Sequence, residues 1–148
     1  MKAIIPRVKS CSVKVDNIEI SRIGQGLLIL LGVAKTDTEK ETAFILNKIV
    51  NLRIFEDSNN KFNLSLKDIN GGMMVVSQFT LFANCSKGRR PSFIEAAPPE
   101  LANELYEYFI TLAKNEVEVV GSGKFQAKMA VSLINDGPVT ISLESDDL

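Results

Sequence analysis

Apolar and polar residues alternate along the first third of the chain, a pattern typical of half-buried β-strands. Val13 and Val15 are separated by one polar residue, and Ile18 and Ile20 repeat this spacing beyond an Asp-Asn turn signal. Residues 27–33 are apolar almost without interruption, as expected for a central strand that is covered on both faces. We therefore predict a hairpin followed by a buried strand.

Two later segments carry helical signals. Capping-box patterns at Thr36/Glu39 and Thr38/Glu41 predict the start of a first helix. Residues 98–100 place proline and an acidic residue in the first turn of a second helix. The apolar stripes predicted for them are Phe44 or Ile45, Ile49 and Leu52 in the first, and Leu101, Leu105, Tyr108 and Leu112 in the second.

Four more apolar segments predict strands. Residues 73–83 form a long apolar run that we interpret as a second buried strand, and shorter segments at 117–120, 129–134 and 139–143 close the chain. Strands therefore dominate, and the two helices are left to cover one side of the sheet. The predicted fold class is α+β, with one domain spanning residues 1–148.

The composition excludes several classes of chemistry. The 148 residues include 17 Lys plus Arg and 18 Asp plus Glu, so the net charge is -1, whereas a protein that wraps a polyanion is usually far more basic. The chain has no histidine, which excludes Ser-His-Asp and Cys-His catalysis and HExxH zinc sites. Its 2 cysteines are too few for a four-thiolate zinc site. We expect no metal and no cofactor, and only local contact with nucleic acid.

No segment predicts export or membrane insertion. The longest apolar run, at residues 27–31, is far shorter than the roughly 18 residues that a membrane span needs. The N-terminal residues lack the apolar core of a signal peptide. We therefore expect a cytoplasmic protein without a membrane partner.

Three hydrogen-bonding side chains interrupt the apolar run at residues 73–83. With the two-residue period of a strand, Gln78 and Thr80 share one face and Ser77 lies on the other. A buried hydroxyl or amide without a partner costs roughly 1–3 kcal/mol, so each must be bonded or face a cleft. Two interpretations stay open: a hydrogen-bonded core network, or the lining of a site.

A turn signal and a basic loop are the other candidate sites. Residues 135–140, Asn-Asp-Gly-Pro-Val-Thr, predict either a plain turn or a rigid corner whose carbonyls contact a ligand. Lys87, Arg89 and Arg90 lie in a polar loop, where they are either solvated or bind phosphate.

Two of these segments together resemble the signature motifs of the D-aminoacyl-tRNA deacylase family. Ser-Gln-Phe-Thr-Leu at 77–81 and Asn-Asp-Gly-Pro-Val-Thr at 135–140 match the family in order, in separation and in total chain length. Shorter pieces agree, among them Gly-Arg-Arg-Pro-Ser-Phe at 88–93, so the resemblance covers essentially the whole chain. One departure is Gln126, which follows Phe125 where the family pattern has glycine.

The resemblance implies a cytoplasmic homodimer with a β-rich, barrel-like sheet flanked by two main helices. Such enzymes hydrolyse the ester that joins a D-amino acid, or glycine, to the terminal adenosine of tRNA, and they leave L-aminoacyl-tRNA intact. The implied partners are the aminoacylated acceptor end of tRNA and a second copy of the chain, with the active site at the subunit interface. No DNA partner and no cofactor are implied.

The resemblance also implies roles for individual residues. Residues 77–80 would line the ester pocket, and backbone N–H groups near Phe79 and Thr80 would stabilise the oxyanion. The Gly137-Pro138 peptide, which is cis in the family, would enter the partner subunit's pocket, hold the α-amino group and exclude an L side chain. The predicted residues are Ser77, Gln78, Phe79 and Thr80 for catalysis, Phe125, Met129, Gly137 and Pro138 for substrate binding and chiral selection, and Lys87, Arg89 and Arg90 for tRNA phosphates.

The residues also bear on the mechanism. An aminoacyl ester is already activated, so its hydrolysis needs a positioned water and an oxyanion hole more than a strong base. The vicinal 2′-hydroxyl of the RNA can help to activate that water. Thr80 as a covalent nucleophile is the alternative, although no neighbouring residue is an obvious base for it. The alternative to an enzyme is an RNA-binding module without catalysis. In such a module the basic loop would bind phosphates, and Phe79 or Phe93 would stack on a base.

Overall fold

One long N-terminal strand organises the sheet. The computed structural model describes residues 1–147, and of Asp147 it describes only the backbone. The elements in chain order are β1 (Lys2–Val15), β2 (Ile18–Ile23), β3 (Gly26–Gly32), α1 (Glu39–Asn51), β4 (Phe55–Glu56), β5 (Phe62–Leu64), β6 (Gly72–Ser77), a 3₁₀ turn (Phe79–Phe82), α2 (Pro99–Glu116), β7 (Val120–Ser122), β8 (Met129–Glu144) and a second 3₁₀ turn (Ser145–Asp147).

Strand β1 has partners along both of its edges. On one edge it pairs antiparallel with β8 over nearly its whole length, and on the other its first half pairs with β3 and its second half with β2. Strands β6 and β7 continue the sheet parallel to β3, and β7 begins at the last residue of the strand predicted at 117–120. Because β2 lies against β6 and β7, the sheet curls into a nearly closed barrel.

Both faces of the sheet are buried, and alternate residues serve each face. Leu27, Ile29 and Leu31 of β3 join the apolar layer that includes α1 and α2, whereas Leu28 joins the cluster inside the barrel. This arrangement explains the uninterrupted apolar run at 27–33, which is confirmed as the central strand β3. The predicted α+β class, in one domain with two main helices, is also confirmed. Among the described residues, no helix is both long and apolar enough to cross a bilayer.

Both helices begin where predicted, but their buried faces differ from the predicted stripes. Thr38 caps α1 and forms its capping box with Glu41, so the second of the two predicted boxes is the one used. Phe44 is 40% exposed, and Ile45 takes the buried position. In α2 the buried face is rotated towards Tyr106, because the hydroxyl of this side chain reaches β6. The buried residues of α2 are Leu105, Tyr106, Phe109, Ile110 and Ala113.

The strand predicted at residues 73–83 is wrong in its second half. Ser77 is paired with Leu31 of β3, and β3 ends at the next residue, Gly32. Because β6 then has no partner to pair with, it ends at Ser77. The Gln78 N–H still donates to the Leu31 carbonyl at 2.8 Å, and the chain then enters the 3₁₀ turn Phe79–Phe82. The alternation of side chains between the two faces of the strand therefore ends at Ser77. It does not predict where the side chains of the following residues lie.

The two strands predicted near the end of the chain are one continuous strand, β8, with a bulge in its middle. The register pairs Thr140 with Pro6 and Asn135 with Val8. Residues 136–139 therefore lie opposite a single residue of β1 and project from the ladder. The plain turn, one of the two interpretations of this segment, is wrong, since the chain continues in the same direction beyond the bulge.

Candidate functional site

A cavity opens where the parallel strands β3 and β6 end. Its volume is about 900 Å³, and it is bounded by the carboxyl ends of these strands, the start of α2, residues 125–127 and the start of β8. Parallel strands commonly leave a crevice at their carboxyl ends, where the chain leaves the sheet. Five predicted site residues line this cavity: Ser77, Gln78, Phe79, Phe125 and Met129.

The cavity wall is uncharged. Its longer polar side chains are Gln78, Tyr106 and Gln126, and the described residues of the wall include no Asp, Glu, Lys or Arg. Among the side chains that the structure describes, no group of three or more His, Cys, Asp or Glu is placed to hold a metal ion. Neither cysteine lines the cavity, and burial raises the pKa of the Cys11 thiol to about 11, so this thiol is protonated near pH 7. The wall therefore offers hydrogen bonds and apolar contacts to a ligand.

Two backbone donors are free where the chain leaves β6. Phe79 and Thr80 are the first residues of the 3₁₀ turn, and the first N–H groups of a helical turn have no carbonyl behind them to bond. Within the described residues, neither N–H donates to an acceptor, whereas the N–H groups of Gln78, Leu81 and Ala83 all do. Two neighbouring free N–H groups beside a cavity can stabilise a negatively charged oxygen.

The side chains of Gln78 and Thr80 are bonded to each other. The Gln78 amide donates to the Thr80 hydroxyl, and this contact within a turn replaces the shared strand face predicted from alternation. Thr80 is exposed and lies beside the cavity wall rather than in it. Across the described residues, no carboxylate or amine is bonded to the Thr80 hydroxyl, so a general base for it is lacking.

Phe125 packs on a buried tyrosine. Its ring centroid lies 6.0 Å from that of Tyr106, whose hydroxyl donates to the Val75 carbonyl at 3.0 Å. This bond ties α2 to the strand that ends in Ser77, and burial raises the pKa of the Tyr106 hydroxyl to about 12. Gln126 has a φ of 61°, in the left-handed region that glycine enters most readily. The departure from the family pattern therefore falls at a position where the backbone favours glycine.

The Gly137-Pro138 corner lies in the bulge of β8 and does not line the cavity. Its peptide is cis, Gly137 has a φ of 125°, and both residues are exposed. Asn135 closes the bulge, since its amide donates to the Thr140 hydroxyl at 2.8 Å and its oxygen accepts from the Val139 N–H at 3.1 Å. Met129, at the start of the same strand, lines the cavity, whereas residues 136–138 do not. The corner is therefore not part of the cavity wall of its own chain.

Arg7 supports this corner, a role that no pattern in the sequence predicted. Its side chain is 3% exposed and donates to the Asp136 carbonyl at 3.1 Å, the Ile54 carbonyl at 2.7 Å and the Glu56 carboxylate at 2.8 Å. The guanidinium also lies 5.9 and 5.4 Å from two aromatic rings of the β4–β5 hairpin. A signal was present in the sequence, because an arginine interrupts the apolar stretch at residues 4–8 of β1.

The predicted phosphate-binding cations lie on an exposed loop that leads into the cavity wall. Two backbone hydrogen bonds between Asn84 and Ser92, of 2.8 and 2.9 Å, close this basic loop (residues 85–91). The next residue, Phe93, lines the cavity. The three cations of the basic loop form no ion pair within the part of the chain that the structure describes. They are Lys87, Arg89 and Arg90.

The chain is similar over its whole length to known proteins. The family model described as D-Tyr-tRNA(Tyr) deacylase matches residues 4–144. A D-aminoacyl-tRNA deacylase of Geotalea uraniireducens is 57% identical over 145 residues, which are 98% of this chain and 94% of that protein. Another, of Thermosipho africanus, is 52% identical over 145 residues, which are 98% of this chain and 97% of that protein.

Two solved structures share the fold. The structure named c-Myc DNA Unwinding Element Binding Protein has a TM-score of 0.92 and 43% sequence identity, and the match covers 97% of this chain and 98% of that chain. A structure described as a probable eukaryotic D-amino acid tRNA deacylase has a TM-score of 0.85 at 16% identity, covering 96% of this chain and 97% of that chain. At this low identity, the second match is evidence for the fold alone.

Replacing Arg7 by methionine should destabilise the fold and loosen the corner. The change leaves the Glu56 carboxylate and the carbonyls of Ile54 and Asp136 without their donor. We expect a loss of about 2–3 kcal/mol and a decrease in Tm of roughly 4–12 °C. Thermal unfolding measures the stability, and amide hydrogen exchange at Val139 should become faster, because this residue lies in the bulge that Arg7 holds.

Arg22→Met is the matched control for Arg7→Met. Arg22 is exposed and pairs with Glu19 on the same surface strand, so its removal should leave both Tm and exchange at Val139 nearly unchanged. Equal effects of the two substitutions would contradict a specific role of Arg7 in holding the corner.

Proposed function

This chain belongs to the D-Tyr-tRNA(Tyr) deacylase family, and from that membership we propose that it hydrolyses the ester bond of D-aminoacyl-tRNA. The products are the free D-amino acid and tRNA. L-aminoacyl-tRNA is rejected, so the enzyme proofreads the chirality of the amino acid for translation. The reaction takes place in the cytoplasm and uses no cofactor.

The observation that carries this proposal is an uncharged cavity with two free backbone N–H groups beside it. Hydrolysis of a peptide would demand a strong nucleophile and a base, which this wall lacks. An aminoacyl ester is already activated, and a site that positions water and stabilises an oxyanion is sufficient for it. A volume of about 900 Å³ is also in the range that holds a small organic ligand such as the aminoacylated adenosine.

The proposed mechanism is direct attack by water. Water adds to the ester carbonyl carbon, and the N–H groups of Phe79 and Thr80 bind the negatively charged oxygen. The vicinal 2′-hydroxyl of the terminal ribose accepts a proton from the attacking water while it passes its own proton to the ribose 3′-oxygen. The bond between the carbonyl carbon and the ribose 3′-oxygen then breaks, and this oxygen, which carries the relayed proton, leaves as the 3′-hydroxyl. The protein's part is to orient the ester and to stabilise charge.

Selection of the D form is assigned to the Gly137-Pro138 corner of a second subunit. Once the amino group and the ester are held, a D and an L side chain differ only in direction, so a rigid wall can reject one of them. The corner of a given chain does not line that chain's own cavity. Leu133 and Ile134 of β8 are exposed, and within the described residues the outer edge of β8 has no partner strand. We therefore propose a homodimer in which each corner completes the partner's cavity.

A steric wall has a consequence for glycine. Glycine carries no side chain on its α-carbon, so a wall that excludes an L side chain cannot exclude it. The same site is therefore expected to hydrolyse glycyl-tRNA, including glycine mischarged on other tRNAs. The side-chain pocket itself is lined by Phe125 and Met129, both of which bound the cavity.

Contact with tRNA is assigned to the basic loop. Its cations Lys87, Arg89 and Arg90 are exposed and sit beside the cavity wall, where the phosphates of an acceptor strand would follow the bound adenosine. Phosphate contacts position a substrate and carry no information about the chirality of the amino acid. The overall charge of -1 suits an enzyme that must release its tRNA.

The second candidate function is nucleic-acid binding without catalysis. The name of one similar solved structure refers to a DNA element, and the exposed cations beside two phenylalanines would suit such a role. Turnover separates the two functions. At an enzyme concentration well below that of substrate, D-tyrosyl-tRNA should be completely hydrolysed while L-tyrosyl-tRNA survives. Protection of D-tyrosyl-tRNA by the protein would instead identify it as a binding module.

Thr80→Ala should keep most of the deacylase activity. The substitution removes a hydroxyl that has no base and leaves the backbone N–H in place. Replacing the terminal 2′-hydroxyl of the tRNA by hydrogen should reduce the rate about 100-fold or more, the usual contribution of a general base. Single-turnover rates on both substrates measure the two effects. An acyl-Thr80 adduct, or a folded Thr80→Ala protein without activity, would refute direct attack by water.

Gly137→Ala should abolish D-ester hydrolysis or its chiral discrimination. A Cβ at this position would lie 2.8 Å from the Val139 side chain and 3.2 Å from the Arg7 guanidinium, and the φ of 125° disfavours any L residue. A corner displaced by about 1 Å can cost roughly 100-fold in rate. Gly24→Ala is the matched control, because a Cβ there meets no atom within 4 Å. Rates on D- and L-tyrosyl-tRNA are compared, with Pro138→Ala as a second corner variant.

Mixing two inactive variants tests the dimer directly. Ala102→Phe narrows the cavity from α2, and it leaves the corner intact. If each corner serves the partner's cavity, a randomly mixed dimer of Ala102→Phe and Gly137→Ala contains one intact site. An equimolar mixture should then recover about one quarter of wild-type activity. No recovery in dimers shown to have exchanged subunits, or a wild-type enzyme that is an active monomer by sedimentation, would refute the shared site.

A further inference from the structure

An apolar surface at the rim of the cavity has no role in the core. Phe93 is 36% exposed and Ile94 is 67% exposed, and we refer to these two residues as the rim ledge. Phe93 lines the cavity, and its ring meets that of Phe79 at 5.1 Å with an interplanar angle of 68°. Phe79 is itself 56% exposed. The contact between the two rings therefore leaves aromatic surface open to solvent.

The rim ledge is held in place from both sides. Before it, the paired backbones of Asn84 and Ser92 close the basic loop. After it, the Ala96 N–H donates to the Phe93 carbonyl at 3.1 Å, and the Ala97 N–H donates to the Val33 carbonyl at 2.9 Å, just beyond the end of β3. The exposure of Phe93 is thus a property of an anchored backbone. A fixed aromatic surface loses little conformational entropy when it binds a ligand.

The charge next to the rim ledge indicates the class of its ligand. The basic loop runs directly into Phe93, and its three cations have no ion-pair partner within the described residues. An exposed aromatic face beside unpaired cations is the arrangement that binds single-stranded nucleic acid, with a base on the ring and phosphates on the cations. Pairing of this surface with the same surface of a second copy is disfavoured, because it would bring two basic loops together.

We propose that the rim ledge binds the base of the nucleotide that precedes the terminal adenosine, stacked on Phe93. This inference rests on the proposed function, since it requires the terminal adenosine to occupy the cavity. The preceding nucleotide is joined to that adenosine by one phosphodiester, and Phe93 belongs both to the cavity wall and to the rim. Phe93 is thereby a positioning residue that contacts only substrates with a nucleotide before the terminal adenosine. The basic loop binds the phosphates further along the strand.

Substrates of different length test this inference. The D-tyrosyl esters of adenosine, of the trinucleotide CCA and of tRNA are compared with wild type, Phe93→Ala, Phe93→Leu and Phe93→Tyr. For Phe93→Ala, kcat/KM should fall about 5- to 150-fold more on the trinucleotide and tRNA than on adenosine, since stacking contributes about 1–3 kcal/mol per base. Phe93→Tyr keeps an aromatic ring and should retain the wild-type kcat/KM on the trinucleotide and tRNA. Phe93→Leu should lose kcat/KM on these two substrates as Phe93→Ala does. The Tyr and Leu variants decide the question alone if Phe93→Ala does not fold.

Phe44→Ala is the matched control, because Phe44 is a phenylalanine of similar exposure on α1 that does not line the cavity. It should change no rate. An equal loss on all three substrates in the Phe93 variants would make Phe93 part of the cavity wall only, and no loss on any would leave the rim ledge without a nucleotide. Either result overturns the inference.

A binding measurement separates failure of the rim ledge from failure of the proposed function. Wild type and Phe93→Leu are titrated with uncharged tRNA, once with its CCA end and once with that end removed. Tighter binding of the CCA-ended form by wild type, reduced in Phe93→Leu, supports the rim ledge even if no ester is hydrolysed. Equal binding of the two forms by wild type overturns it.

Discussion

Strand β1 pairs along both edges while it carries one charged side chain into the interior. Its backbone is bonded to β8 on one side and to β2 and β3 on the other, so the barrel depends on it. Arg7 is buried at its centre and can remain charged there because two carbonyls and the Glu56 carboxylate accept its hydrogen bonds. One of these carbonyls belongs to Asp136, beside the Gly137-Pro138 corner. The strand that holds the sheet together therefore also sets the position of the corner.

The cavity has an equally simple origin. The ladder between β3 and β6 ends at Leu31 and Ser77, and the next residues have no strand to pair with. The chain turns, and the turn leaves the N–H groups of Phe79 and Thr80 without acceptors in the described structure. Backbone donors that the fold does not use are available to a substrate. In the mechanism we propose, the chemistry of the site would come from the end of a ladder rather than from a reactive side chain, which fits a chain without histidine.

Sequence patterns predicted those elements whose environment is uniform along their length. The apolar run at 27–33 became β3 because both of its faces meet apolar layers, and the Thr38 capping box formed because its partners are three residues apart. The sequence pattern failed where pairing with a distant strand, rather than the local residue types, decides the structure. Residues after Ser77 are apolar enough for a strand, yet they lack a neighbour to pair with. The bulge in β8 likewise depends on its register with β1, which no local signal contains.

The same division holds for the site. The type of chemistry could be predicted from residue types alone: the absence of histidine excluded imidazole catalysis, and two motifs indicated a family that hydrolyses an activated ester. The sequence also placed Ser77, Gln78 and Phe79 at a site, and all three line the cavity. The folded chain was needed to show that Thr80 lies beside the wall, that the corner does not line its own cavity, and that Arg7 holds the corner. The physical reason is that residue types are local properties, whereas burial, free hydrogen-bonding groups and distances between strands arise from contacts between segments far apart in the chain.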